Sequence, residues 1–340
     1  MTIEVEHLSK TYGTTQAIDD LNFSVEDGQI LGLLGPNGAG KTTTMRILSG
    51  FLPATSGTAR IAGFDVHDES MAARQRIGYL PETPPLYPTM SVEGYLNFVA
   101  RIKGVSAGDR AKKVDSAIAR CGLLERRKSL ILTLSKGFRQ RVGIAQAIVH
   151  DPPAIVLDEP TVGLDPKQVV EVRQLIQSLA GDRTILLSSH ILPEVSATCS
   201  QVAIVNRGKI VATDSIDKLM TQLTRGGYEI EVGGEINGIE AAVQSFLGNV
   251  PGVATVEALK VEDLPEGRYR FQVGIEPGTE PGGAIASAIV ESQLDLLEMR
   301  RTRASLEDVF LKLTTDEAAA QAAAEAEKKE EDSVADAIDL

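Results

Sequence analysis

Eight residues constrain this chain more than any others: "GPNGAGKT", Gly35–Thr42. They follow a short apolar run, "QILGLLG" (Gln29–Gly35). They open "KTTTMRILSGF" (Lys41–Phe51), where Met45, Leu48 and Ser49 recur at helical spacing. A glycine-rich turn between a strand and a helix fits the pattern G-x-x-x-x-G-K-[ST]. Gly35, Gly38 and Gly40 let the backbone curl until several N–H groups face one point, and the helix start adds its positive end. The pattern predicts a phosphate cradle, with Pro36, Asn37, Ala39 and Thr43 completing its wall. Lys41 is placed to reach the β- and γ-phosphates of a nucleotide, and the Thr42 hydroxyl to bind Mg²⁺.

Two further apolar runs end in polar residues: "AIVLDEP" (Ala154–Pro160) and "TILLSSH" (Thr184–His190). Such runs suit strands of a parallel sheet covered on both faces. Asp158 at a strand end would hold Mg²⁺, and Glu159 would polarise an attacking water, an effect worth about 10²–10⁴ in rate. Adjacent acids at a strand end also suit a solvated edge or a helix cap; the phosphate cradle shifts the balance toward chemistry. His190, taken alone, reads more readily as a surface residue than as a functional one.

"LTLSKGFRQR" (Leu132–Arg141) is unusual in another way. Ser135 and Gly137 open a helical stretch with lysine and arginines nearby and no carboxylate. Helix starts favour negative charge, so an acid-free start is an anion-binding surface in waiting, or an ordinary cap with solvated cations.

The 340 residues predict two domains and a tail. No apolar run approaches the roughly 18 residues that cross a bilayer, and "MTIEVEHLSK" lacks the pattern of a signal peptide. Cys121 and Cys199 are too few for a disulfide framework or a zinc cluster, so a cytoplasmic, reduced setting is expected. The net charge is −13, but residues 316–340 carry −7 of it, with nine acids against Lys328 and Lys329. The remainder lacks a basic stripe for nucleic acid.

From Tyr228 the pattern changes. "YEIEV", "VATVEALKV" and "RYRFQVGIE" alternate like strands, "GIEAAVQSFLGNV" and "GGAIASAIVESQ" read as helices, and "LDLLEMRRTR" as extended. The order β-α-β-β-α-β is ferredoxin-like. "VAIVNRGKIVATD" before it reads as a hairpin turning at Arg207-Gly208. "SLEDVFLKLT" (Ser305–Thr314) predicts a last amphipathic helix capped by Ser305, then an Ala/Glu-rich tail expected to be disordered or weakly helical.

The order of "GPNGAGKT", "LSKGF", "LDEP", "GLDP" and "SSH" resembles the ATP-binding cassette (ABC) ATPases of membrane transporters, over roughly residues 2–215. The resemblance implies an α/β fold of the P-loop NTPase class, with an ABC domain at 1–215 that includes a helical subdomain at about 84–150. An α+β accessory domain would occupy 216–315, and the tail 316–340. It implies ATP and Mg²⁺ as cofactors, Tyr12 of "KTYG" stacked on adenine, Gly163–Asp165 as the loop after the Mg²⁺ site, and His190 as a switch histidine donating to the γ-phosphate. Ser135 and Gly137 would then face the ATP held by a second copy in a head-to-tail homodimer. Two motifs depart from the usual pattern. Lys136 and Phe138 stand where relatives carry glycine and glutamine, and Glu82 of "GYLPE" stands where many carry a glutamine; as a carboxylate Glu82 would ligate Mg²⁺ or hold water. "LSKGFRQRVG" and "YLPETPPLYPTMSVEGYL" look closest to the ABC-2 export type, of gliding-motility and multidrug ATPases.

The resemblance thus implies an ATP-hydrolysing subunit, peripheral on the inner face of the cell membrane, powering export of an unidentified cargo. Its partners would be multi-span permease subunits, docking beside the "GYLPE" loop, with Leu86, Tyr87, Met90, Tyr95, Leu96 and Phe98 as candidate contacts. The competing reading is a soluble ABC ATPase acting on ribosomes or nucleic acid. A single phosphate loop and the lack of a heptad arm weigh against it. A third reading, compatible with the first, makes the C-terminal domain a sensor or dimerisation module.

Overall fold

The computed structural model describes residues 1–216, 218–219, 227–234, 239–259, 264–265, 267–276 and 278–302. The expected helix at 305–314 and the tail lie outside them. The chain divides into two compact units, one built on Met1–Ile216 and one within Asp217–Lys312.

The first unit holds two sheets. Six strands stand in the order β10-β9-β3-β8-β7-β6: Lys209–Ser215, Gln201–Asn206, Ile30–Leu34, Thr184–Ser189, Ala154–Asp158 and Ile77–Leu80. All neighbours are parallel except β9 and β10, which form the expected hairpin. Its turn residues Arg207 and Gly208 both have positive φ, 45° and 84°, the geometry that matches the twist of two antiparallel strands. Every residue of β3, β7 and β8 is buried, which is why these strands read as largely apolar runs. Parallel pairing puts the ends of the three strands side by side: Leu34 is opposite Ser189, and Asp158 opposite Ser188. This shared edge is where the polar residues collect.

The second sheet is antiparallel: β2-β1-β4-β5, from Thr15–Val25, Ile3–Tyr12, Ser56–Ile61 and Phe64–Asp65. It closes a core with α1 (Lys41–Leu48), where Met45, Ile47 and Leu48 meet Ile3, Val5, Leu21 and Ile61. At about 1.5–3 kcal/mol for each large side chain buried, this cluster anchors the helix that begins at the phosphate cradle. After the short α2 (Ser70–Arg76), three helices beside the large sheet, α3 (Val92–Ile102), α4 (Ala107–Arg120) and α5 (Lys136–Ile148), pack on one another. Ser91, Ser106 and Ser135 cap them, accepting from Gly94, Asp109 and Phe138 N–H. The apolar candidates around α3 now separate. Tyr95 and Leu96 are core, 2% and 0% exposed, which excludes them as partner contacts. Tyr87 is exposed, edge-on to the rings of Tyr95 and Phe98.

In the second unit the strands Gly227–Gly233 (β11), Val253–Leu259 (β12), Arg268–Ile275 (β13) and Asp295–Thr302 (β14) pair in the order β12-β13-β11-β14, all antiparallel. Helices Ile239–Gly248 and Gly282–Glu291 complete the β-α-β-β-α-β order. Ile230, Val232, Phe271 and Val273 alternate onto one face of the sheet and meet Val243, Leu247, Ile285 and Ile289 of the helices.

Candidate functional site

A cleft of about 540 Å³ opens at the shared edge of the six-stranded sheet. The cradle reaches it through Asn37, Gly38, Gly40, Lys41, Thr42 and Thr43, and Glu82, Glu159 and His190 face them. Segments far apart in the sequence thus meet around one space. Gly40, at φ 103°, makes the turn into α1; a side chain there would meet Ala17 O at 2.6 Å. That helix starts with no acid in its first turn, leaving its N–H groups for an anion.

Lys41 is 5% exposed. Its ammonium donates to Gly35 O at 2.8 Å and Pro36 O at 3.1 Å, and lies 3.6 Å from Glu159 Oε1. The other carboxylate oxygen of Glu159, Oε2, is 2.9 Å from His190 Nδ1. Glu159 sits in the left-handed region at φ 48°, costly for a side chain with a Cβ, by about 1–3 kcal/mol. The conformation is held by Glu159 N–H donating to Ser188 Oγ at 2.9 Å. Such strain is found where a fold must aim one side chain.

Asp158 lies just beneath, 1% exposed. Its Oδ1 accepts from Ser188 Oγ at 2.6 Å and from Thr42 Oγ1 at 3.3 Å, while Oδ2 is buried without a partner. Burial pushes the Asp158 carboxyl above the usual carboxylate range; the charges of Glu159 and Glu82 push the same way. Of the three acids only Glu159 is within ion-pair reach of Lys41, the one lysine or arginine lining the cleft among the described residues, and one Asp158 oxygen is orphaned next to a threonine hydroxyl. Oxygen donors, excess negative charge and an unsatisfied buried acceptor fit a hard divalent cation such as Mg²⁺. Thr42 and Asp158 would hold it, with Glu82 adjoining, and when bound it would neutralise phosphate charge.

The remaining expected residues fall elsewhere. Tyr12 ends β1, exposed, with Lys10 Nζ 5.3 Å from its ring centroid; Ala17, not Tyr12, walls the cleft. Pro36 and Ala39 belong to the loop without lining the cleft. His190 differs from expectation in its hydrogen bond. A neutral ring that donates Nδ1–H to Glu159 presents Nε2 as an acceptor, so donation from Nε2 to a phosphate requires both nitrogens to be protonated or the Glu159 contact to break. Ser135 and Gly137 form a separate helix start, outside the cleft. No acid stands in the first turn of α5, and a Cβ on Gly137 would strike the Gln168 carboxamide at 2.6 Å. Phe138 lies under the Arg126 guanidinium at 5.4 Å, which gives that departure a packing role.

Ser188 escaped the sequence reading. Its hydroxyl both donates to Asp158 and accepts from Glu159 N–H, so it sets the aim of the two acids. The signal was present: a serine in a strand otherwise apolar must find partners when buried.

Residues 18–162 match the ABC transporter family. The chain is 30% identical to the linearmycin resistance ATP-binding protein LnrL of Bacillus subtilis (strain 168), over 92% of this chain and 98% of that one. It is 34% identical to the bacitracin transport ATP-binding protein BcrA of Bacillus licheniformis, over 92% and 96%. A solved ATP-binding subunit of an ABC transporter superimposes with a TM-score of 0.60 at 30% identity, covering 65% of this chain and 93% of that one.

Proposed function

This chain belongs to the ABC transporter family of ATP-binding proteins, and from that premise we propose how its residues divide the work of ATP-driven transport. It is the ATP-binding and ATP-hydrolysing subunit of a membrane transporter. The observation that carries the division of labour is the meeting of the phosphate cradle, Glu82, Glu159 and His190 in one cleft.

In the proposed scheme the cradle and Lys41 hold the triphosphate. Thr42 and Asp158, with Glu82, hold Mg²⁺. Glu159 orients the attacking water and takes its proton, and His190 orients Glu159. The acid-free start of α5, with Ser135 and Gly137, closes on the ATP of a second copy, so that two nucleotides bridge two chains. Hydrolysis removes the bridging charge and the pair loosens, a two-state cycle driven by ligand.

Among the described residues no helix is long and apolar enough to cross a membrane, so the pathway is assigned to separate permease subunits and the chain to the inner face of the membrane. A groove of about 640 Å³ supports that assignment. Ile77, Tyr79, Pro81 and Pro85 line it, beside Phe51, which is 76% exposed. Arg46, Arg74 and Lys103 rim it with no carboxylate, which suits a short permease helix with an apolar face and an acidic or C-terminal end. The relatives named for resistance and for bacitracin transport support outward movement of the cargo.

The test is Glu159→Gln. It is expected to bind ATP, hydrolyse it about 10²–10⁴-fold more slowly, and accumulate as an ATP-bound dimer in size-exclusion chromatography. Turnover at the wild-type rate would remove Glu159 from the role given to it.

A further inference from the structure

At the end of the six-stranded sheet away from the nucleotide cleft, the chain gathers cations instead of acids. A cavity of about 290 Å³ opens between α4, the end of α5 and the segments that lead into β7 and β8. Asp109, Lys112, Lys113, Ser116 and Arg120 line it from α4, and Asp151 and Arg183 from the two segments. From there β7 and β8 run toward Asp158 and His190. Their length, roughly 15–20 Å, separates the cavity from the cleft.

Arg183 is the buried member, 8% exposed. Its Nη2 donates to Asp151 Oδ1, while Nε and Nη1 are shut off from solvent with no acceptor among the described residues. A guanidinium carries five N–H donors, and leaving them without water or partner costs stability. Asp151 cannot supply the rest, because its Oδ2 is taken by Lys113 Nζ at 2.6 Å. Asp109 is turned to the start of its own helix, where Oδ2 accepts from Ser106 Oγ at 2.8 Å. Lys112, Ser116 and Arg120 recur every four residues and so share one face of α4. Lys112 and Arg120 make no hydrogen bond or ion pair among the described residues. Four cations thus face two committed carboxylates, a surplus of two positive charges in a chain whose net charge is −13.

We propose that this cavity binds a phosphate-class oxyanion, either free phosphate or the phosphate of a small monoester. A dianion matches the surplus charge. Arg183, already at the cavity wall, turns its unpartnered edge to the ligand. Arg120 offers a second planar fork, and the Lys112 ammonium and Ser116 hydroxyl complete the donors. The cavity has about half the 540 Å³ of the nucleotide cleft, which suits phosphate with its waters or a short ester rather than a whole nucleotide. The bound anion ties α4 to the segments before β7 and β8, so occupancy stabilises the first unit from the side away from the cleft.

The experiment titrates inorganic phosphate into the full chain by calorimetry at constant ionic strength. Mg²⁺ and a non-hydrolysable ATP analogue hold the nucleotide cleft. One phosphate is expected to bind, and to raise Tm by about 3–5 °C at tenfold over the measured Kd. Lys112→Gln and Arg120→Gln, both at exposed positions, are each expected to weaken it about five- to tenfold, and the double variant to abolish the rise in Tm. Arg183→Lys keeps a charge beside Asp151 but loses the fork, and is expected to weaken phosphate at least about tenfold. Its Tm without phosphate checks that it folds. Glycerol 3-phosphate separates the two sources: binding of either ligand supports the site, and the tighter one names what it holds. Acetate at the same ionic strength is the control. Equal stabilisation by acetate, loss of phosphate binding when the analogue fills the cleft, or an undiminished rise in Tm in the Lys112→Gln/Arg120→Gln double variant would overturn the proposal. So would the absence of phosphate binding at millimolar concentration.

Discussion

Both units gather acids on a β-sheet, and they treat them in opposite ways. On the open face of the second unit Glu231 meets Arg268 at 3.1 Å and Arg270 at 2.7 Å, and Glu229 meets Arg270 at 3.5 Å and Arg300 at 2.7 Å. Hydrogen bonds from Arg270 and Arg268 hold the Glu231 carboxyl below the usual glutamate range. At the sheet edge of the first unit Glu159 alone meets Lys41, at 3.6 Å, and Asp158 is pushed upward by burial and by the charges of Glu159 and Glu82. Pairing along a strand face is a local matter, complete within the fold. Acids stacked at the ends of parallel strands have too few counterions in the first unit itself, and that deficit is what the proposed Mg²⁺ and its phosphate would answer.

The largest expected break in this comparison is Lys41→Ala. Removing the ammonium leaves three carboxylates at the mouth of the cradle with no charge opposing them. ATP affinity should fall at least about 100-fold by equilibrium titration, as a buried charge-assisted contact is lost and repulsion is exposed. Unchanged affinity would mean that the acids at this edge await something other than a nucleotide. Next in size is Ser135→Arg. ATP affinity of the monomer should stay within about threefold, since Ser135 lies outside the cleft, while ATP-driven dimerisation disappears from light scattering. A variant that still dimerised would show that the acid-free start of α5 is an ordinary cap.

Legibility in the sequence divides along the same line. The cradle was readable because its glycines, Lys41 and Thr42 are contiguous and each is required by local backbone geometry. Asp158, Glu159 and His190 were readable as strand ends because β7 and β8 are apolar for most of their length before those residues. The order of the second unit was readable from alternation alone. The antiparallel sheet formed by β1, β2, β4 and β5 was not, because β1 mixes polar residues with three shifts of register against β2, and the period of two is broken. The sorting of Tyr95 and Leu96 from Tyr87 depended on which side of α3 meets α4 and α5. The facing of Glu82 toward the cradle depended on segments far apart in sequence. Such placements are set by tertiary packing, and no local pattern encodes them.

Asp158→Asn sharpens the comparison from the side of stability. A carboxyl whose folded value lies above 3.8 binds its proton more tightly in the folded chain, so its charge costs stability at neutral pH. That cost vanishes below pH 3.8, where both states are protonated, and is complete above the raised folded value. Without Mg²⁺, Asp158→Asn should therefore be more stable than the parent by about 1 kcal/mol near pH 7, or about 2–4 °C in Tm, and the gain should shrink as the pH falls. The same variant should lose ATPase activity. Equal stability at every pH would mean that Asp158 is balanced within the fold, like the acids of the second unit.

Glu231→Gln is the mirror experiment and the smallest expected effect. Its folded value lies below 4.5, so its stabilisation is present above pH 4.5 and is lost as the pH falls through the lowered folded value. The amide keeps the shape and one acceptor but takes from Arg268 the carboxylate it meets and leaves Arg270 with Glu229 alone. Glu231 is itself covered, but Arg268 and Arg270 reach solvent and can rehydrate, so the loss expected near pH 7 is about 1–3 °C in Tm, read by differential scanning calorimetry. The difference from the parent should close in acid, and half-molar salt should reduce it. ATP affinity and turnover should not move, because Glu231 belongs to a lattice whose two acids find their arginines within the second unit. A stabilising Glu231→Gln would place both sheets in one class, acids short of counterions, and the open face of the second unit would then call for a ligand of its own.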